Sequence, residues 1–244
     1  MNRTGAALTE PGRIAVTRQT TEEQEGVMYT CADCVNKPCR SHQLDRLPGN
    51  CPTAEYSEEQ SLERYKGEEK EMAYCSARVE GDFYCRITRV EETMEYALRM
   101  GYTHLGVAFC VGLSEEARRL VRILRANHFE VDAVCCKNGS VPKGRLGITR
   151  EQQAHPEREF EAICNPAAQA ELLEQAGCDL AILLGLCVGH DTLFIRHCSI
   201  PCTVLAVKDR VMAHNPLGAI YMSEGYMKDR LYTYVDRRQA EAEA

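Results

Sequence analysis

The chain has 244 residues, 44% of them hydrophobic, and a formal net charge of −7. That is enough apolar material for one domain of ordinary size plus a smaller module. The acidic balance argues against a grip on the phosphate backbone of nucleic acid. The longest nearly unbroken apolar runs, Leu105–Leu113 and Ala181–Gly189 at nine residues each, fall far short of the about 20 that a membrane helix needs.

Residues 1–27 lack the apolar centre of a secretory signal and read as a flexible polar leader on a cytoplasmic chain. Against that background the 14 cysteines are unusual. A reducing compartment keeps thiols free, so clustered cysteines there point to metal or catalysis. Residues 28–55 form a cysteine-rich module in which Cys31, Cys34, Cys39 and Cys51 have the spacing C-x2-C-x4-C-x11-C, with Pro52 after the last. There is little apolar material between them. So short a segment cannot bury a core, and four thiolates on one metal centre supply the missing staple. Structural zinc favours two short knuckles. The uneven spacing and the closing Cys-Pro are closer to iron–sulfur ligation, which stands ahead of zinc without excluding it.

Residues 56–101 carry a helical pattern. Ser57 is an N-cap with Glu58, Glu59 and Gln60 in the first turn, and a second such stretch ends at Gly101. Cys75 and Cys85 in this segment read as structural thiols. Over residues 102–235 the pattern alternates. "THLGVAFC", "FEVDAVCC", "DLAILLGLC" and "CTVLAVKD" read as buried strands. Between them lie a helix capped by Ser114, a helix with Asn165 as N-cap and Pro166 at its first position, and a short helix "HDTLFIRHC" with Asp191 as N-cap. A last helix begins at "HNPLGAIYM", whose His-Asn-Pro repeats the grammar of Cys164-Asn165-Pro166. Continuous apolar strands between helices indicate a parallel sheet covered on both faces, a doubly wound α/β domain of Rossmann or flavodoxin type with about four strands. Residues 236–244 read as a tail.

On such a sheet the strand carboxyl ends share one rim, where ligands bind. Cys110, Cys136 and Cys187 end three strands, and Cys164 precedes a helix, so all four thiols are expected there. Helix N-termini favour thiolates. One such cysteine is easily core filling; four together suggest a metal or cluster site. His190, His214 and Lys208 are expected beside it. Lys137 and Lys143 suggest either a basic flap or a solvated loop. Cys178, Cys198 and Cys202 fall on the opposite edge and read as structural, and His104 has no usable pattern.

Taken together, "CADCVNKPCR…NCP", "GVAFCVGL", "VCCKNGSVPK", "CNPAAQAELL", "LLGLCVGHDTLFI" and "VLAVKDRVMAHNP" resemble an uncharacterised cysteine-rich, metal-binding protein family found mainly in anaerobic bacteria and archaea. The resemblance runs from about Tyr29 to Tyr226 and implies metal binding by the N-terminal cysteines. It supplies no activity.

Three classes of function follow. The first is an iron–sulfur enzyme or redox protein with one or two [4Fe–4S] clusters, acting on a small molecule or an electron-transfer partner. The second is a zinc-binding structural or regulatory protein. The third is a metal-free thiol enzyme with Cys187 as nucleophile and His190 as base.

Overall fold

The computed structural model describes residues 28–243; the expected polar leader over residues 1–27 lies outside the described residues. In chain order the elements are α1 (Glu58–Leu62), α2 (Glu68–Phe83), α3 (Arg89–Met100), β1 (His104–Phe109), α4 (Ser114–Ala126), β2 (Glu130–Cys135), α5 (Pro166–Gln175), β3 (Leu180–Leu186), α6 (His190–His197), β4 (Cys202–Val207), α7 (Leu217–Tyr221), α8 (Lys228–Tyr232) and α9 (Tyr234–Glu243). One compact unit holds the described residues 28–73 and 228–243, and the other is Tyr74–Met227.

The larger unit is the α/β fold. Its four strands are all parallel, in the order β2-β1-β3-β4, the same as the first four strands of the flavodoxin-type arrangement. Alternation along the strands divides the side chains between two cores. On one face Leu105, Val107, Leu180, Ile182 and Leu184 pack with Ala97 of α3 and with Ala117, Leu120, Val121 and Leu124 of α4. On the other, Ala108, Ala181, Leu183 and Leu186 pack with Ala170 and Leu173 of α5 and Phe194 of α6. All seven residues of β3 are buried, because it is a central strand covered on both sides.

One irregularity decides where the end of β3 points. Leu184 faces the α3/α4 side and Leu186 the α5/α6 side, although strict alternation puts them on the same side. The break is at Gly185, where φ is +65° and the register with β4 shifts. It is a bulge with a left-handed glycine, and it re-aims every later residue by one position.

Helix starts agree with the sequence where a capping side chain is present. Ser57 and Gln60 form a capping box on α1, Thr88 and Glu91 form one on α3, and Asn165 caps α5 ahead of Pro166. Three expected caps are corrected. Ser114 is the first residue of α4 rather than its N-cap, because the 3-10 turn Val111–Leu113 precedes it and its hydroxyl donates to the Val111 carbonyl at 2.6 Å. Asp191 lies inside the first turn of α6, accepting from the Gly189 and Thr192 N–H groups at 3.0 and 2.7 Å. Asn215 does not cap α7: Pro216 takes that place in α-helical conformation, with no side-chain cap. Residues 236–243 of the expected tail are helical within α9, as alanine and glutamate favour.

In the smaller unit, Pro38 is the one buried residue between positions 28 and 62. Short 3-10 turns replace regular structure. Asn50 ties the segment back on itself, donating to the Met28 carbonyl at 2.8 Å and to Thr30 Oγ1 at 3.1 Å. Among the described residues no helix is long and apolar enough to cross a membrane.

Candidate metal centres

β1 and β2 finish in register, with Phe109 opposite Cys135. Cys110 and Cys136 therefore leave the two strands side by side. The long connection after β2 brings a third thiol to them. Asn165 N–H donates to the Cys136 carbonyl at 2.8 Å. Asn138 Nδ2 bridges the carbonyls of Cys135 and Asn165 at 3.0 and 3.1 Å. Lys137 Nζ holds the Ala162 carbonyl at 2.6 Å. From below, the fully buried Gln169 of α5 donates through Nε2 to the carbonyls of Phe109 and Val134, at 3.2 and 2.6 Å. Its Oε1 has no partner among the described residues. The outcome is a row, Cys110–Cys136–Cys164, in which each thiol acts on the titration of its neighbour. His190, at the head of α6, continues the row from Cys164.

The row is strongly polarised. The Cys136 thiol beside Cys110 lowers the latter to about 5 against the opposing effect of burial, helped by the Gly112 N–H and the Lys208 ammonium. Cys164 is lowered to about 3, first by Cys136 and then by the His190 ring. Cys136 lies between these two thiolates and is pushed far up, mainly by Cys110 and Cys164. Its single proton serves one neighbour at a time, while the Val111 N–H donates to its sulfur at 3.4 Å. His190 is raised, chiefly by its hydrogen bond to the Cys164 thiolate. Glycine at 112 keeps the approach of Lys208 open: a Cβ there would lie 3.3 Å from Lys208 Nζ and 4.0 Å from Cys110 Sγ. Arg210 Nη2 donates to Cys187 Sγ at 3.3 Å, and Cys187, then Cys110 and Cys164, raise the guanidinium further.

Not every expected site residue joins the row. Alternation places Cys187 with Cys110 and Cys136, but the Gly185 bulge turns the end of β3, and the contact of Cys187 is with Arg210. His190 pairs with Cys164, so the expected Cys187–His190 couple is replaced by Cys164–His190. His214 adopts a left-handed backbone, and its Nδ1 accepts from the Asp209 N–H at 3.1 Å inside its own loop. Of the two lysines expected as a basic flap, Lys143 is paired with Glu161 at 2.6 Å, whereas Lys137 is tied to the Ala162 carbonyl and its charge still reaches Cys164 and His190. Lys208 does reach the rim. Arg210 is the residue that the sequence reading missed; the signal was its place in "KDR", two residues beyond the lysine chosen.

In the N-terminal module, Cys31, Cys34, Cys39 and Cys51 all line one cavity of about 340 Å³. Pro38, Pro48 and Pro52 form apolar parts of its wall, and Asp33, Lys37 and Arg40 also line it. Among the described residues, only His104, Asp132 and Cys178 bring three metal-ligating atoms within 4.8 Å of one another. The module thiols are thus spread around a space, as the rim thiols are spread along a row.

Fold and site together define a cysteine-rich α/β protein with thiolates gathered at the carboxyl rim of a parallel sheet. The chain belongs to the family described as protein of unknown function (DUF1847), whose model matches residues 51–205. That span contains Cys51 and all four expected rim cysteines. The chain is also similar to the uncharacterized protein MJ0455 of Methanocaldococcus jannaschii, at 44% identity over 171 residues, which cover 70% of this chain and 86% of that protein. No solved structure matches it.

Proposed function

We propose that this is a metal-binding protein with two thiolate centres, an iron–sulfur cluster held by Cys31, Cys34, Cys39 and Cys51 and a second held at the rim by Cys110, Cys136 and Cys164. The observation that carries the reading is the spacing of the module thiols. All four line one cavity of about 340 Å³, yet no three of their sulfurs approach within 4.8 Å of one another. Tetrahedral zinc, with Zn–S near 2.3 Å, draws its sulfurs to about 3.8 Å apart. A cluster spreads its thiolates, because each binds a different iron. The donor set and the space both fit a cluster.

At the rim, Cys110 and Cys164 are both lowered, chiefly by the Cys136 thiol between them, and Lys208 and His190 favour their charge. Bound there, a cluster supplies electron transfer or a Lewis-acidic iron. With Cys187 held by Arg210, the row offers three neighbouring thiols rather than four, which leaves one iron position for a small molecule. Lys208 and Arg210 favour an anionic one. The reading is of a cytoplasmic protein in redox or small-molecule chemistry of anaerobic metabolism. The Cys164–His190 contact favours one alternative, a metal-free thiol enzyme with Cys164 as nucleophile and His190 as its acid–base partner.

Purification without oxygen, followed by iron and acid-labile sulfide analysis, tests this. The expected chain absorbs in the visible, is bleached by dithionite, and loses one centre in Cys51→Ala and the other in Cys136→Ala. A colourless chain carrying zinc overturns the cluster reading. A chain free of iron and zinc, in which Cys164 is alkylated far faster than the other thiols, supports the thiol enzyme instead.

A further inference from the structure

The opposite edge of the sheet brings together residues that the thiol rim does not use. His104 opens β1, and Asp132 of β2 stands across from Gly106. His104 and Gly106 share a face of the sheet. The imidazole therefore meets the aspartate along the diagonal, Nε2 to Oδ2 at 2.8 Å. Cys178 arrives from a third direction, in the turn between α5 and β3, where its N–H donates to the Leu173 carbonyl at 3.1 Å. Its sulfur occupies space that the glycine leaves: a Cβ on Gly106 would lie 3.2 Å from Cys178 Sγ. One nitrogen, one oxygen and one sulfur thus lie within 4.8 Å of one another.

We propose that His104, Asp132 and Cys178 form a separate binding site for a divalent ion of the zinc class. Imidazole, carboxylate and thiolate together suit a borderline-soft ion, whereas magnesium and calcium prefer oxygen ligands alone. Ligand bonds of about 2.0–2.3 Å set donor atoms about 3.4–3.8 Å apart around a tetrahedral centre, so the histidine–aspartate contact must open by only about half an ångström. Cys178 is 3% exposed, while the Asp132 side chain is 52% exposed. The site is closed behind the sulfur and open beside the carboxylate. Three protein ligands with one outward position is the arrangement that leaves room for a water or a ligand atom.

The surroundings favour a cation. Asp179 adds a second carboxylate next to Cys178, and its Oδ2 accepts from the N–H groups of Thr103 and His104 at 2.8 and 2.9 Å. That fixes the backbone carrying the histidine, the kind of outer support that ligating residues need. Burial, then Asp132 and Asp179, push the Cys178 thiol up to about 11. The two carboxylates, the lesser part of that shift, also favour a metal ion.

The test uses zinc chloride alone on the full chain. Zinc uptake is measured by equilibrium dialysis, and Cys178 alkylation by peptide mass spectrometry with and without zinc. The wild type is expected to take up one zinc more than His104→Gln, and zinc is expected to shield Cys178 from alkylation in the wild type only. Asp132→Asn, which changes an exposed side chain, repeats the loss if His104→Gln does not fold. Equal zinc uptake in wild type and folded variant overturns the proposal, as does zinc protection of Cys178 that survives either substitution.

Discussion

Replacing Gly185 by alanine tests how the rim is assembled. The residue has φ of +65°, and a Cβ there would lie 1.9 Å from Leu113 Cδ1 and 3.2 Å from Leu113 Cγ. The left-handed backbone costs a non-glycine residue about 1–2 kcal/mol. Forcing a methyl group into a packed core costs about 1–3 kcal/mol more. The expected loss is about 2–5 kcal/mol, a large part of the about 5–15 kcal/mol that holds a domain together. Gly189→Ala is the control. Its φ is +87° and its ψ −34°, with nothing within 4 Å of the added Cβ, so it carries a positive-φ strain of its own and no collision. Urea unfolding compares the two variants, and Gly185→Ala should be the less stable. Leu113 follows directly on the Cys110–Gly112 turn, so moving it draws Cys110 away from Cys136 and Lys208 and slows its alkylation near neutral pH. Equal stability of the two variants refutes the role assigned to the bulge.

Further outcomes follow from the same geometry, all in metal-free protein. Cys164→Ser removes the thiolate that raises His190, so an NMR titration should show the imidazole pKa fall toward its ordinary value. Cys110 is held at about 5 partly by Lys208. Its alkylation rate should stay high as pH falls from 8 toward its pKa of about 5, dropping only below that, and Lys208→Ala should move this fall to higher pH. Asn165→Ala removes the cap on α5, which should cost about 1 kcal/mol in denaturant unfolding. A loss near zero would mean that the cap does not hold the helix start beside Cys164. Gln169→Leu deletes two hydrogen bonds to the ends of β1 and β2 and should lower stability by about 1–3 kcal/mol. Stability unchanged by that substitution would show that the strand ends hold their positions without it.

Much of this architecture was legible in the sequence, for identifiable reasons. Apolar runs such as "DLAILLGLC" between helical segments gave the parallel sheet, because a strand buried on both faces has no polar alternation to hide. Asn165 and Ser57 were readable because a capping side chain acts on its own local backbone. The meeting of Cys110, Cys136 and Cys164 followed from strand ends sharing one edge. The place of Cys187 did not, since one bulge at Gly185 reverses a period-two argument. An isolated glycine inside a strand pattern was the available warning. His104, Asp132 and Cys178 were not legible at all. Their approach depends on the register of β1 against β2 and on a turn from elsewhere, and long-range register leaves no local trace.

The two ends of the sheet treat the same side chain in opposite ways, and the polarity of the fold runs in the same direction as that difference. Strand carboxyl ends in a parallel α/β sheet lead toward helix N-termini, whose free N–H groups favour negative charge. At that rim Cys110 and Cys164 sit well below the ordinary thiol value, chiefly because each has Cys136 beside it, with Lys208 and His190 assisting. Strand amino ends follow helix C-termini, whose carbonyls favour positive charge. There burial pushes the Cys178 thiol up to about 11, with Asp132 and Asp179 assisting. At the rim Cys110 supplies charge already in place, whereas Cys136 there and Cys178 at the opposite edge are both pushed up and yield a proton only to an ion that replaces it. Iron–sulfur loading at the rim and zinc binding at the opposite edge should therefore both strengthen as pH rises from 6 to 8, with a proton released at each.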